Sequence, residues 1–318
     1  LDDITLNNSN RAASINPTDD GGYIIVGSNF NGIDYDVWLT KIDENNAIEW
    51  DKKFDQGNGD DFGYSVEICR DNGYIISGAT YDGSDYNMLL IKTDNQGDLD
   101  QSFNNGSVLS ISSATAIADD KAYFSQQTDD GGYIVVGETR SNGSGGSDIW
   151  LSKINSLGVE SWATPVTFGG ALDEKGIFVQ ETQDNGYIVV GNSRSDGSGQ
   201  SDIFMVKTDS DGDKEWSRYI GGVKNDFANC VRQTNDGGYI IAGSTYTTNS
   251  DVWVIKIQSG SRGLIDWSKT FGGDYDDIAS SVVQTSDGGY IITGSMVTPE
   301  KQSDILLIKL DADGNQEF

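Results

Sequence analysis

The chain has 318 residues and a formal net charge of −29, from 50 acidic and 21 basic side chains. Such a field repels nucleic acid and anionic membrane surfaces, and no apolar run is long enough to span a membrane as a helix. The 40 glycines and only 3 prolines are typical of an all-β protein with many tight turns.

One phrase returns six times along the chain, first as D-G-G-Y-I-I-V-G at Asp20–Gly27. A period of 51 to 59 residues, built from short apolar runs broken by glycine turns, indicates one supersecondary unit stacked on copies of itself. The repeat covers nearly the whole chain, so we expect a single domain over residues 1–318. The repeats are centred on Tyr23, Tyr74, Tyr133, Tyr187, Tyr239 and Tyr290.

The fifth repeat shows the unit most clearly. Its extended runs are Cys230–Thr234, Tyr239–Ser244, Asp251–Ile257 and Ile265–Phe271, joined by tight turns. Four such runs, which we name strands a to d, predict a four-stranded antiparallel meander. Six copies predict an all-β, six-bladed β-propeller, with a right-handed β-solenoid as the competing repeat fold.

The two ends of the chain suggest how the ring closes. The sixth repeat stops at Phe318, where strand d has only begun, and Asp3–Leu6 precedes the first strand a. We expect Asp3–Leu6 to complete the sixth blade, which would pair two edges that are otherwise open.

Several positions recur with a structural pattern. Two rows of bulky apolar residues, in strands c and d, predict packing between blades because Met, Leu and Phe substitute for Trp. The lysines of strand c predict a structural ion pair, and Cys69 and Cys230 are expected to be free core thiols. The strand-d row is Trp50, Phe103, Trp162, Trp216, Trp267 and Phe318.

The repeated string S-x-V-x-x-T-x-D-G-G-Y-I-I-x-G-S-T, followed by D-x-W-x-x-K-x-D, resembles the repeat of secreted and cell-surface β-propeller proteins of bacteria and archaea. Repeats five and six carry the likeness best, through Asp251–Gly273 and Ser281–Ser295. The second repeat departs from it with an added stretch, Asn104–Asp119. The resemblance implies a propeller in an extracellular or cell-surface setting, and it implies no reaction.

Catalytic chemistry is restricted by the absence of histidine from the sequence. That excludes Ser–His–Asp and Cys–His catalysis and histidine-ligated zinc. Carboxylate chemistry, as in a glycan hydrolase or lyase, stays open, but no motif singles out a pair of acids.

A ligand-binding face is predicted from the loops that differ between repeats. In a propeller the b–c and d–a connections emerge at one end, and we expect aromatic and arginine side chains there to bind a ligand. An alternative is that the aromatic ones only cover blade edges. These candidates are Phe30, Tyr81, Arg140, Arg194 and Tyr246.

Acids of the d–a loops are expected at the same end. Converging carboxylates favour a divalent cation, so the sequence raises the possibility of Ca²⁺ as a ligand, with a solvated acidic rim as the simpler alternative. The acids are Asp60, Asp61, Asp173, Glu174, Asp226, Asp276 and Asp277.

Three functions follow as hypotheses. The first is a non-enzymatic extracellular binding or display module for a glycan or protein, a monomeric domain of a larger surface protein. The second is a structural spacer within such a protein, and the third is the carboxylate-based hydrolase or lyase.

The expected clasp can be tested by deletion. Removing residues 1–8 should lower the melting temperature by many degrees, because two strand edges would lose their partner. An unchanged melting curve for the truncated chain would rule the clasp out.

Overall fold

The computed structural model describes residues 10–57, 59–112, 118–196, 200–260, 262–300 and 303–317. These residues form six antiparallel sheets, five with four strands and the sixth with three. They are the blades of an all-β, six-bladed β-propeller, so the predicted fold class is confirmed. The proposed closing strand Asp3–Leu6 lies outside the described residues.

Each blade is a meander in chain order. The first blade contains β1 (Asn10–Pro17), β2 (Tyr23–Phe30), β3 (Tyr35–Ile42) and β4 (Ile48–Phe54). The second contains β5 (Asp61–Ile68), β6 (Tyr74–Tyr81), β7 (Tyr86–Thr93) and β8 (Leu109–Ile111). The third contains β9 (Asp120–Gln127), β10 (Tyr133–Thr139), β11 (Asp148–Ile154) and β12 (Val166–Phe168). The fourth blade contains β13 (Glu174–Glu181), β14 (Tyr187–Ser193), β15 (Asp202–Thr208) and β16 (Lys214–Ile220). The fifth contains β17 (Asp226–Gln233), β18 (Tyr239–Tyr246), β19 (Ser250–Ile257) and β20 (Ile265–Phe271). The sixth contains β21 (Asp277–Gln284), β22 (Tyr290–Val297) and β23 (Ser303–Leu310).

The blades fall into two compact units. The first unit comprises Leu1–Gly143 and Trp150–Thr167, and the second comprises Ser144–Ile149 and Phe168–Phe318. A short 3₁₀ turn, Asn104–Gly106, lies in the added stretch of the second repeat. Within the described parts of the chain, no helix is long and apolar enough to cross a membrane.

The core consists of the apolar faces of strands b and c. In the first unit, Met88, Phe103 and Trp150 belong to one buried cluster, while Leu39 and Ile76 belong to another. Trp38, Met88, Trp150 and Phe204 of the strand-c row are all at most 3% exposed, which confirms their predicted packing role. Both cysteines are free and buried, also as predicted.

A buried lysine in strand c anchors each a–b turn. In the first blade, Lys41 Nζ lies 2.9 Å from Asp20 Oδ2, and its side chain is only 4% exposed. The ion pair predicted from the sequence is therefore confirmed, and it recurs in every blade. The other pairs are Lys92–Asp71, Lys153–Asp130, Lys207–Asp184, Lys256–Asp236 and Lys309–Asp287.

The glycine that ends the repeated phrase faces a β-bulge in strand a. In the fifth blade the register shifts between Ala228 and Cys230, opposite Gly243. A Cβ added to Gly243 would lie 1.9 Å from the carbonyl oxygen of Phe227. Since real Cβ atoms do not approach an oxygen so closely, only glycine lets the two strands pair here.

Replacing Gly243 with alanine should therefore destabilise the protein by about 3 kcal/mol, through overpacking against strand a. The control is Gly273→Ala, because a Cβ there meets nothing within 4 Å and the backbone is not left-handed. It should change stability by less than about 0.5 kcal/mol. Urea unfolding of both variants measures this, and equal losses would contradict the assigned role of the bulge.

Candidate functional site

The first unit carries a continuous series of aromatic side chains at the end formed by the b–c and d–a loops. Phe30 ends β2 and contacts Tyr35, the first residue of β3, with ring centroids 5.3 Å apart. The Tyr35 ring lies 5.6 Å from Phe62 in β5. Phe62 in turn lies 5.9 Å from Tyr86, which opens β7.

The series continues along two branches. Tyr86 contacts Tyr81, at the end of β6, at 5.3 Å. Phe62 also stacks with Tyr64 at 6.2 Å, and Tyr64 reaches Tyr123 of β9 at 5.2 Å. We name the set the aromatic belt: Phe30, Tyr35, Phe62, Tyr64, Tyr81, Tyr86 and Tyr123.

Most belt rings are half-buried, and Phe30 is 41% exposed. Burial raises the pKa of Tyr64 and Tyr123 well above the usual tyrosine value, so both phenols stay neutral at ordinary pH. Tyr123 donates a hydrogen bond to Glu138 at 2.8 Å. The belt is thus an uncharged, partly exposed aromatic surface with hydroxyl groups along it.

Two cations lie over belt rings. The guanidinium of Arg11 is 5.5 Å from the centroid of Tyr35, and Lys121 Nζ is 4.9 Å from the centroid of Tyr86. Lys121 also lies 3.6 Å from the Asp119 carboxylate. These contacts show that the ring faces attract positive charge, as the quadrupole of an aromatic ring predicts.

The predicted ligand residues divide between the two units. Phe30 and Tyr81 are both part of the belt, linked through Tyr35, Phe62 and Tyr86. Arg140, in the first unit, is exposed, and its N–H donates to the carbonyl of Asp119.

In the second unit, Arg194 lies 3.5 Å from Asp173 and Tyr246 lies under Lys224 at 4.7 Å. Each of these two predicted residues therefore has a local charged partner. Neither partner was foreseen from the sequence.

Comparing repeats position by position would have revealed two further members of the belt. The residue that precedes the Asp or Asn near the start of strand c is tyrosine in the first two repeats, at Tyr35 and Tyr86. In the other four repeats it is serine: Ser147, Ser201, Ser250 and Ser303. Such a departure from the repeat is the signal that sequence reasoning missed.

The d–a acids accept hydrogen bonds from backbone N–H groups. The first acid of each pair accepts an N–H at the start of strand c, as Asp60 does from Tyr35 at 3.0 Å and Asp276 from Ser250 at 2.8 Å. Asp173 accepts from Ser147 at 3.2 Å.

The second acid of each pair is buried and accepts an N–H from its own loop. The bonds are Gln56 N to Asp61, Gly170 N to Glu174, Gly222 N to Asp226 and Gly273 N to Asp277. Among the described residues, no three acidic, cysteine or histidine side chains form a group that could hold a metal ion. Calcium binding by the loop acids stays a prediction from the sequence.

Comparisons with known proteins identify the fold and nothing narrower. No family model matches the chain, and no curated protein matches it either. Among solved structures, it is similar to the α-L-arabinofuranosidase arb93a from Fusarium graminearum in complex with an iminosugar inhibitor, with a TM-score of 0.60 and 11% identity over 95% of this chain and 93% of that one.

A second similar structure is Sqt1 from Chaetomium thermophilum bound to the N-terminus of a ribosomal protein. The TM-score is 0.55 and the identity 10%, over 97% of this chain and 74% of that one. Identities this low show a shared β-propeller fold alone.

Asp61 should make stability depend on pH. Burial raises its pKa to about 6, the carboxylates of Asp55 and Asp36 add to the rise, and hydrogen bonds from Thr80 and Gln56 oppose it. A raised folded-state pKa means that stability is lost as the pH rises from about 4 through 6. Asp61→Asn should therefore be more stable than the wild type by about 1–3 kcal/mol at pH 7.5, with the gain vanishing near pH 4.

The matched control, Asp236→Asn, should change the stability in the opposite direction. Burial opposes ionisation of Asp236, but hydrogen bonds from Lys256, Thr234 and Gly238 outweigh it and lower its pKa to about 2. Asp236→Asn should therefore be less stable than the wild type at pH 7.5, and the difference should close only below about pH 4. Urea midpoints of the three proteins against pH test both, and pH-independent offsets would contradict them.

Proposed function

We propose that this protein is a non-enzymatic binding module that docks a protein segment through the aromatic belt. The supporting observation is the belt itself: seven half-exposed or exposed aromatic rings in mutual contact within one unit. Tyrosine and phenylalanine bury large areas on binding at low cost in side-chain entropy, which is why they dominate binding hot spots.

The arrangement of the rings favours a protein over a sugar. Most neighbouring rings are tilted by 31° to 57° to each other, so the belt is corrugated rather than a flat stacking platform. Arg11 and Lys121 already cover two of the ring faces. Aromatic rings interleaved with cations and ringed by polar groups are typical of protein interfaces.

Charge defines the partner further. The protein has a net charge of −29, and acids such as Asp60 and Asp119 lie next to the belt. A partner segment rich in lysine or arginine would gain from this field and could place a cation on a free ring face. The similar structure of Sqt1, which is bound to a peptide terminus of another protein, is compatible with such a use of the fold.

A glycan is the second candidate ligand. Phe30, at one end of the belt, is 41% exposed and offers a ring to a sugar, and the similar arabinofuranosidase binds an iminosugar. By the resemblance of the repeat, we place the module in an extracellular or cell-surface protein. A third candidate is a spacer role, in which the belt binds no ligand.

The test uses a substitution that the chain itself supplies. Tyr35→Ser with Tyr86→Ser copies the serine of the other four repeats, so the blades should still fold, which a melting curve checks. The probes are arrays of short synthetic peptides of positive net charge and their Lys/Arg-to-Glu counterparts, alongside a glycan array.

We expect the wild type to bind basic peptides and the double variant to bind them about tenfold more weakly. Binding should also weaken with added salt. The control is Tyr246→Ser, which removes an exposed tyrosine of the second unit and should leave binding unchanged.

The other outcomes separate the candidates. Capture of glycans that the double variant loses would support the second candidate instead. Equal peptide binding by all three proteins would overturn the belt as the site, and no binding to either array would favour the spacer.

A further inference from the structure

In each unit, the described residues enclose a polar cavity between two neighbouring blades, at the end formed by the a–b and c–d turns. The cavity of the first unit has a volume of about 440 Å³ and lies between the first and second blades. The cavity of the second unit has a volume of about 700 Å³ and lies between the fourth and fifth blades. Both volumes fall in the range of small-molecule sites, about 300–1,000 Å³.

The two cavities are built from the same repeat positions. Asp20, Lys41, Glu49, Trp50 and Tyr74 line the first. Their equivalents Asp184, Lys207, Glu215, Trp216 and Tyr239 line the second. The repeat itself therefore builds both cavities, and the same Trp–Tyr contact also occurs between the fifth and sixth blades, at Trp267 and Tyr290.

The carboxylates of these cavities are fixed yet accessible. Lys41 lies 2.9 Å from Asp20 and 3.1 Å from Glu49, and the two acids are 56% and 42% exposed. Lys207 holds Asp184 and Glu215 at 3.0 and 3.3 Å in the same way. An acid whose position is held by a buried cation is a preorganised acceptor for hydroxyl groups.

The tryptophan of each cavity is also held in place, by a tyrosine of the next blade. Trp50 meets Tyr74 with ring centroids 5.9 Å apart, and Trp216 meets Tyr239 at 6.1 Å. Both tryptophans are half-buried, and each lines its cavity. A rigid indole beside two fixed carboxylates combines an apolar face for C–H groups with acceptors for hydroxyl groups.

We propose that the two cavities are equivalent saccharide-binding sites, each taking one or two sugar rings. This goes beyond the proposed peptide docking, because the cavities share no residue with the aromatic belt. A sugar ring presents an apolar face of C–H groups and an equatorial set of hydroxyls, which are the two features that the indole and the carboxylates complement.

The charge of the lining predicts a difference between the sites. In the first, Asp19, Asp20 and Glu49 outnumber Lys41, so a neutral sugar is preferred there and an acidic one is repelled. In the second, Arg262 joins Lys207 and balances Asp184 and Glu215. The second cavity therefore tolerates a sugar carboxylate.

In the second repeat, a phenylalanine takes the place of the cavity tryptophan. Phe103 occupies the tryptophan position, is only 1% exposed and meets Tyr133 edge-on at 5.7 Å. The adjoining 3₁₀ turn is fixed by a hydrogen bond from Asn104 N to the Leu157 carbonyl. Phenylalanine is thus a natural substitute at this position in the fold.

The experiment is a titration followed by NMR of the indole N–H groups. The probes are methyl glucoside, methyl galactoside, N-acetylglucosamine, arabinose and glucuronate at millimolar concentrations. Trp50→Phe and Trp216→Phe assign the two signals. We expect at least one neutral sugar to shift both signals saturably, and glucuronate to shift that of Trp216 alone, while buried Trp38 and Trp150 stay unmoved.

Glu49→Gln and Glu215→Gln provide reciprocal controls. Each should weaken binding at its own site about tenfold and leave the other site unchanged, so the intact site reports correct folding. If no sugar of the panel shifts either signal, the proposal is overturned. Uniform shifts of all indoles, or affinities unchanged by both variants, would overturn it as well.

Discussion

The buried lysine of strand c is the interaction on which every blade depends. Its ammonium is almost entirely removed from water, so it must be matched by carboxylates. The aspartate of the a–b turn supplies one in every blade, and an acid of strand d supplies a second to Lys41 and Lys207. Lys41 Nζ also donates to the carbonyl of Ile42, and a Cβ on Gly22 would lie 2.1 Å from that carbonyl oxygen and 2.7 Å from the nitrogen. The acid of the repeated phrase therefore pairs with the lysine, while its second glycine is required by the close approach of the strand-c backbone.

This constraint fixes some side chains of the repeat and leaves others free to vary. Side chains that hold a blade together recur in every copy, whereas side chains at the ends of the strands can vary without breaking a sheet. The first unit uses that freedom at the b–c end, where Tyr35 and Tyr86 take the place of the serine of the other four repeats and contact Phe62. At the opposite end the scaffold residues themselves, Trp50 and Glu49 with the anchoring lysine, line a cavity.

The acids illustrate how one residue type takes different roles by position. Asp236 is half-exposed and ionises easily because Lys256 donates to it, whereas Asp61 is buried beside two other carboxylates and resists ionisation. Both positions carry aspartate in a strongly acidic chain, so composition cannot tell them apart. The loop acids accept backbone N–H groups, which is how irregular loops satisfy their buried donors.

The sequence alone determined the number of blades, the strands of the repeat unit, the apolar rows and a structural ion pair for the lysine of strand c, because period-two alternation, turn residues and recurrence at one repeat position are local features. The structure identified the aspartate of the a–b turn as the partner of that lysine. The sequence also located Phe30 and Tyr81, which begin loops that vary between repeats. Only the tertiary structure decided that these two rings join Phe62, Tyr64 and Tyr123 in one belt, and that Trp50 and Tyr74 enclose a cavity. The contacts Tyr35–Phe62, Tyr64–Tyr123 and Trp50–Tyr74 cross from one blade to the next. They depend on how adjacent sheets pack, which no pattern within a single repeat records.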